Sequence, residues 1–281
     1  YSADDVGAFI GHPDRDDEIA MHVLNEVAID LNGVGCPVGD LDRRQLRATY
    51  HAMQREVDDQ LGRLFEFLRT NGLDDETLVV VTSDHGEMGG DHWLVQKLGY
   101  WDESYHIPLI IRDPRSDAAS TRGLQVTEFT ESVDVMATIC EWIGAAIPDQ
   151  CDGRPLTPFL RTGEAPQDWR DAVHWEWSFN DPEHRMSENI LGIPAEHCTL
   201  NVVRTETSKY VQFAGDQQLL PPLLFDLTDD PEQRHNLAGS GDHLDSMLDG
   251  AQRLLSWRMQ HAERTMSTYH LSAERGLLHH V

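Results

Sequence analysis

Asp84 and His85 are adjacent and followed at once by Gly86, so a carboxylate and an imidazole sit where the chain can turn sharply enough for both to reach one metal ion. An Asp–His pair also describes a structural hydrogen bond, so its position has to decide. The pair directly follows Leu78-Val79-Val80-Val81, a β-branched run expected of a strand. Ligands of open α/β sheets gather at the carboxyl ends of strands, where loops converge. The next residues, Gly86-Glu87-Met88-Gly89-Gly90-Asp91-His92-Trp93, form a glycine-rich polar stretch of the kind that hosts sites. Lys97 comes twelve residues after His85, and lysine occurs elsewhere only at position 209, so arginine supplies nearly all of the 22 Lys plus Arg. A compact ammonium suits a point contact with a phosphoryl, phosphonyl or sulfuryl oxygen; the alternative is an ordinary surface lysine. His92, Trp93 and Tyr100 read as packing around the strand, and Asp58 and Asp59 as a solvated helix face, so none receives a catalytic role.

Several elements must position these residues. Residues 1 to about 40 are polar and rich in Asp and Gly and read mainly as loop with one short helix. From Leu41 to about Thr70, Leu46, Tyr50, Met53, Val57, Leu61, Leu64, Phe65 and Leu68 recur at helical spacing, and Asn71-Gly72 supplies a stop. Leu78–Val81 is expected to be a strand buried on both faces of a largely parallel sheet. A second strand is expected at 107–111, with Pro108 at its start or at an edge. Ser132 then reads as the N-cap of a helix turning Val133, Met136, Ile139, Cys140 and Ile143 inward and closed by Gly144. After about residue 160 come short strand candidates at 199–203, 210–213 and 223–227, a small antiparallel sheet. A final helix from about Asp242 to Thr265 carries Leu244, Met247, Leu248, Ala251, Leu254, Leu255 and Met259 and is expected to pack on that sheet. The fold class is therefore α/β in two parts, 1–160 and 161–281, the second an α+β subdomain.

The formal charge of -27 disfavours nucleic acid and anionic lipid as partners, and an anion-binding site must supply its own positive charge. No apolar run is long enough to span a bilayer. Cys36, Cys140, Cys151 and Cys198 lack metal or disulfide spacing, and reduced thiols fit a cytoplasmic location.

The stretch Glu56-Val57-Asp58-Asp59-Gln60-Leu61-Gly62-Arg63, then Thr82-Ser83-Asp84-His85-Gly86-Glu87-Met88, Gly90-Asp91-His92-Trp93 and Lys97-Leu98-Gly99-Tyr100, resembles the sulfatase-type branch of the alkaline phosphatase superfamily. Ser132 to Ile139, Asp152-Gly153-Arg154-Pro155-Leu156 and Leu224 to Ala238 continue the likeness. The tail from Leu255 to Thr265 is most similar to phosphonate monoester hydrolases, which also act as phosphodiesterases. The resemblance implies the C-terminal part of an alkaline-phosphatase-like sandwich and a small-molecule anionic ester as substrate. It also implies that Asp84 and His85 are metal ligands and that Lys97 contacts the substrate anion or leaving group. A His where many sulfatases use Asn favours Mn2+ over Ca2+, with Zn2+ and Fe2+ as further alternatives.

Family members use a Cys-x-Pro-x-Arg motif whose cysteine becomes the formylglycine nucleophile, and none of the four cysteines fits it: Cys36-Pro37 places proline too early, and Cys151-Asp152-Gly153-Arg154 lacks it. The nucleophile is therefore expected upstream of Tyr1, leaving these residues as an inactive fragment of an enzyme in which a formylglycine hydrate attacks phosphorus or sulfur. An arylsulfatase is the alternative within the family, separable by comparing an aryl sulfate with a phenylphosphonate ester. A non-catalytic binding or structural protein is the alternative outside it, and a homo-oligomer built through the C-terminal tail is a further expectation.

Overall fold

The computed structural model describes residues 1–31, 34–261 and 269–279. The N-terminal segment holds α1 (Arg15–Met21) and α2 (Val23–Glu26), the latter running into a π turn at Val27–Leu31. Asp14 caps α1 by accepting from the Asp16 backbone N–H at 2.8 Å. The segment is more ordered than its polar composition suggests, because Leu24, Val27, Ala28 and Ile29 are buried in the main hydrophobic cluster.

The long helix α3 spans Asp40–Thr70 and ends at Gly72, whose φ of +67° and Leu73 N–H to Leu68 carbonyl bond (2.9 Å) form a left-handed stop. β1 (Val79–Thr82) follows, then α4 (Asp102–Tyr105) and β2 (Leu109–Arg112), which starts immediately after Pro108 as a proline requires. β1 and β2 pair antiparallel, Val79 opposite Arg112 and Thr82 opposite Leu109. The two-faced burial expected of Leu78–Val81 is not met: β1 is half-buried to exposed, and among the described residues it pairs with β2 alone.

Beyond β2 lie α5 (Val133–Trp142), α6 (Thr157–Arg161), β3 (Ala172–Ser178), α7 (Met186–Leu191), β4 (Thr199–Thr205), β5 (Ser208–Phe213), β6 (Leu223–Asp226), α8 (Leu244–His261) and a hairpin of β7 (Tyr269–Ser272) and β8 (Gly276–His279). β3 to β6 form an antiparallel sheet in sequence order, with β3 and the hairpin additional to the expected strands. The sheet is covered on both faces. Leu200, Val202, Val211, Phe213, Leu223 and Phe225 enter the main cluster, while Val203, Tyr210 and Leu224 meet α8 through Leu254. Gly250 of α8 lies so close to Tyr210 that a Cβ there would be 2.6 Å from the Tyr210 Cβ. The expected end of this helix at 262–265 lies outside the described residues.

Three expected inward stripes are only partly buried. On α3, Met53, Val57, Leu64 and Phe65 are exposed. On α5, Cys140 is buried but Val133, Met136, Ile139 and Ile143 are exposed, because the packed face is polar: Asp134 accepts from the Arg154 N–H (2.8 Å) and the Arg170 guanidinium, and the Thr138 hydroxyl accepts from the Leu156 N–H (2.8 Å). Ser132 occupies the expected N-cap position without a side-chain bond, whereas Gly144 (φ +73°) closes the helix as expected. On α8, contact along the Gly250 line leaves Leu244, Leu248, Leu255 and Met259 exposed.

Candidate functional site

Asp84 and His85 follow the last residue of β1 by one intervening position, Ser83, whose hydroxyl donates to the His85 carbonyl at 2.7 Å. The His85 Nδ1 lies 2.7 Å from the Gly86 carbonyl. A carbonyl can only accept, so Nδ1 carries a proton and, in the neutral imidazole, the lone pair lies on Nε2. That Nε2 lies 3.6 Å from Oδ2 of Asp84, whose side chain is 85% exposed. The Asp84 carboxyl is held below its ordinary range chiefly by its own backbone N–H; burial opposes this, and the neighbouring His85 and, last, the Lys97 ammonium add to the lowering. Gly86 is obligatory here, since a Cβ would stand 1.9 Å from the Glu103 carbonyl oxygen, and its N–H donates to the Ser104 carbonyl at 2.8 Å.

The loop that follows is closed on itself. Met88 N–H donates to the Gln96 carbonyl (2.8 Å), Gly90 N–H to the Leu94 carbonyl (2.7 Å), and the Glu87 carboxylate accepts from the Gly89 and Gln96 N–H groups. His92, Trp93 and Gln96 hold left-handed φ angles of 50°, 58° and 65°, a strain that persists only where surrounding contacts fix it. The contacts are buried and charged. Arg43 donates to the Gly90 carbonyl, Arg47 pairs with Asp91 at 2.6 Å, and the fully buried His92 bonds Glu18 at 3.0 Å while stacking on Trp101 at 3.5 Å. Burial of His92, Trp93 and Tyr100 agrees with their reading as packing residues. Lys97 emerges exposed at the far end of this loop, with its field reaching Asp84. Of the three residues picked out from sequence, Asp84 and His85 approach each other at 3.6 Å, while Lys97 makes no direct bond to either among the described contacts. The structure adds Glu18, Arg43, Arg47 and Ser104 as supports. Only the i, i+4 spacing of Arg43 and Arg47 on α3 signalled any of these in advance.

Asp84 and His85 are the residues that could hold a metal. Two ligands about 2.1 Å from one ion stand roughly 3–3.5 Å apart, close to the separation observed, and the backbone bond at Nδ1 leaves the lone pair of Nε2 available. No group of three or more His, Cys, Asp or Glu able to hold an ion occurs among the described residues. Burial raises the thiol of Cys36 and pushes that of Cys198 up to about 11, so neither is an activated nucleophile. A groove of about 500 Å³ between α3 and the loop is lined by Tyr50, Met53, Glu87 and Gln96, and not by Asp84, His85 or Lys97.

A sulfatase family model matches residues 9–145, and the model for the C-terminal part of N-sulphoglucosamine sulphohydrolase matches residues 90–260. The multifunctional alkaline phosphatase superfamily protein PehA of Trinickia caryophylli is 42% identical over 99% of this chain and 54% of its own length. Arylsulfatase K of Xenopus laevis is 33% identical over 78% of this chain and 39% of its own. Among solved structures, the phosphonate monoester hydrolase of Agrobacterium radiobacter superposes with a TM-score of 0.91 at 38% identity, covering all of this chain and 56% of that one. The Silicibacter pomeroyi phosphonate monoester hydrolase gives 0.86 at 34% identity, covering 99% and 55%. The chain therefore spans about half the length of the relatives it matches across its whole length. From the strand-end pair to the small C-terminal sheet, this chain belongs to the sulfatase family of the alkaline phosphatase superfamily, as its C-terminal part.

Proposed function

We propose that these residues form part of a metal-dependent hydrolase of phosphonate monoesters and phosphodiesters, with Asp84 and His85 as metal ligands and Lys97 as the cation that meets the substrate. The observation that carries this reading is the approach of His85 Nε2 to Asp84 Oδ2 at 3.6 Å, with the imidazole proton committed to the Gly86 carbonyl. A divalent cation, with Mn2+ favoured by the imidazole ligand, would supply Lewis-acid polarisation of the ester. The chain's own contribution is electrostatic. Asp84 stays ionised through its backbone N–H, and Lys97 offers an ammonium to charge that develops on the transferred group or leaving oxygen. The rest of the ligand set and the nucleophile are assigned to the part of the protein outside this half-length match, consistent with thiols at Cys36 and Cys198 held protonated. The likeness to phosphonate monoester hydrolases along the whole chain supports the phosphonate reading, and that to arylsulfatase K supports sulfate esters as the second.

In the full-length protein, Lys97→Ala is expected to lower turnover of a chromogenic phenylphosphonate ester by about 10²–10³-fold with the melting temperature unchanged. Asp84→Asn is expected to lose bound metal, measured by elemental analysis of the dialysed protein. Full metal content and activity in Asp84→Asn would remove the ligand assignment. Faster turnover of an aryl sulfate than of the phosphonate would exchange the first reading for the second.

A further inference from the structure

We infer that Ser104 is a positioning residue that holds Lys97 in register with the Asp84–His85 pair, an inference that rests on the role proposed for Lys97. Ser104 is 1% exposed and lies in α4, and its two oxygens serve the two halves of the candidate site separately. The backbone carbonyl accepts from Gly86 N–H at 2.8 Å, next to His85. The hydroxyl accepts from Leu98 N–H at 2.8 Å, next to Lys97, and donates to the Met88 sulfur at 3.2 Å inside the same loop. One residue thus closes the base of the 86–98 loop from both sides.

The base is itself fixed. Asp102, at the start of α4, pairs with the fully buried Lys209 and with Arg204 at 3.2 Å, both on the four-stranded sheet. On the Gly86 side, the Glu103 carbonyl leaves no room for a Cβ. On the Leu98 side, a Cβ on Gly99 would stand 2.7 Å from the Trp177 ring. The site is therefore referenced to the small sheet through a rigid contact, and the Leu98 bond is the last link before Lys97. Without the hydroxyl, Leu98 N–H loses its buried acceptor, and the ammonium loses the constraint that sets its distance from the pair.

Because the two anchors use different atoms of Ser104, the role can be tested without disturbing the metal ligands. In full-length protein, Ser104→Ala is expected to lower kcat on the phenylphosphonate ester by about 10–100-fold, to leave metal content unchanged, and to speed amide hydrogen exchange in residues 96–99. Ser104→Cys, which keeps a weak acceptor of similar size, is expected to recover part of the rate and serves if the alanine variant does not fold. In a Lys97→Ala background, Ser104→Ala should add nothing, because its effect runs through Lys97. A full additional loss in that background, or wild-type kcat in Ser104→Ala, would overturn the inference while leaving Lys97 in place. Wild-type kcat in Lys97→Ala alone would instead overturn the proposed function.

Discussion

The four-stranded sheet and the β1–β2 pair are both built from strongly apolar strands, yet only the first has both faces covered. β4, β5 and β6 send alternate residues into the main cluster and against α8, so Leu200, Val202, Val211, Leu223 and Phe225 lose essentially all contact with water. β1 carries three consecutive valines and stays half-buried, Ile110 of β2 is 62% exposed, and the apolar stripes of α3 and α5 face outward. The difference teaches that a β-branched run states how much covering a strand requires, not whether the residues at hand supply it. The candidate site lies at the join, its Asp84–His85 pair at the end of the open sheet and its loop braced by the closed one.

The widest gap between the regions is expected for a matched pair of substitutions. Phe225→Ala, at a fully buried position in β6, removes a ring from a packed cluster and should cost about 3–5 kcal/mol in urea denaturation. Phe67→Ala on α3, where the ring is 56% exposed, should cost no more than about 0.5 kcal/mol. Equal costs would mean that the two regions do not differ in solution.

Next in size is the ion pair that ties α4 to the closed sheet. Lys209 is fully buried, with its ammonium donating to the Tyr100 carbonyl at 2.9 Å and to Gln233 as well as pairing with Asp102. Burial lowers the lysine's proton affinity, and Asp102 opposes that shift. Asp102→Ala leaves the cation without its counter-charge and should cost about 3 kcal/mol, the lower end for a buried pair because the carboxylate side chain is 24% exposed. A loss below about 1 kcal/mol would show that the join is not held this way.

What was legible in the sequence follows from the range of the forces involved. Local signals were readable: helix stops at Gly72 and Gly144, and Pro108 before β2. Strand-end position, glycine and a rare lysine single out Asp84, His85 and Lys97, and the first two lie 3.6 Å apart at the end of β1. Their supports were not legible, because Glu18 meets His92 across 74 positions and Lys209 meets Tyr100 across 109, and no spacing rule reaches that far. The helix stripes misled for a related reason. Periodicity marks an apolar face, and on α5 the bonds to Asp134 and Thr138 turned the polar face inward.

A smaller effect is expected from acid. His22 is 3% exposed and stacks on Phe213 of the closed sheet at 4.6 Å, its Nε2 donating to the Pro221 carbonyl (3.0 Å) and its Nδ1 accepting from Leu24 N–H (3.1 Å). Burial lowers its pKa to about 4. The unfolded chain therefore binds this proton first, so the stabilisation is complete above about pH 6.5 and is lost as pH falls from there toward 4. Its share of the loss should reach about 2 kcal/mol near pH 5. Denaturation of wild type and His22→Leu at about pH 7 and pH 5 measures it as the difference between their acid-induced losses, and parallel losses would exclude His22 as the source.

The smallest expected effect lies on the open side and is the most sensitive check on it. Arg55 of α3 contacts Asp59 at 3.1 Å and Asp58 at 3.7 Å, all three side chains being more than half exposed. Such pairs pay side-chain entropy for a Coulomb gain that water screens, so Asp59→Ala should change stability by less than about 0.5 kcal/mol. The residual difference should vanish at about 1 M salt, where charges are screened within about 3 Å. The same helix carries Met53, Val57 and Leu64 at the surface, and any protein layer laid over it would desolvate the pair as well. A cost above about 1 kcal/mol, insensitive to salt, would mean that α3 is covered in solution, and the contrast between a closed and an open sheet would then have to be redrawn.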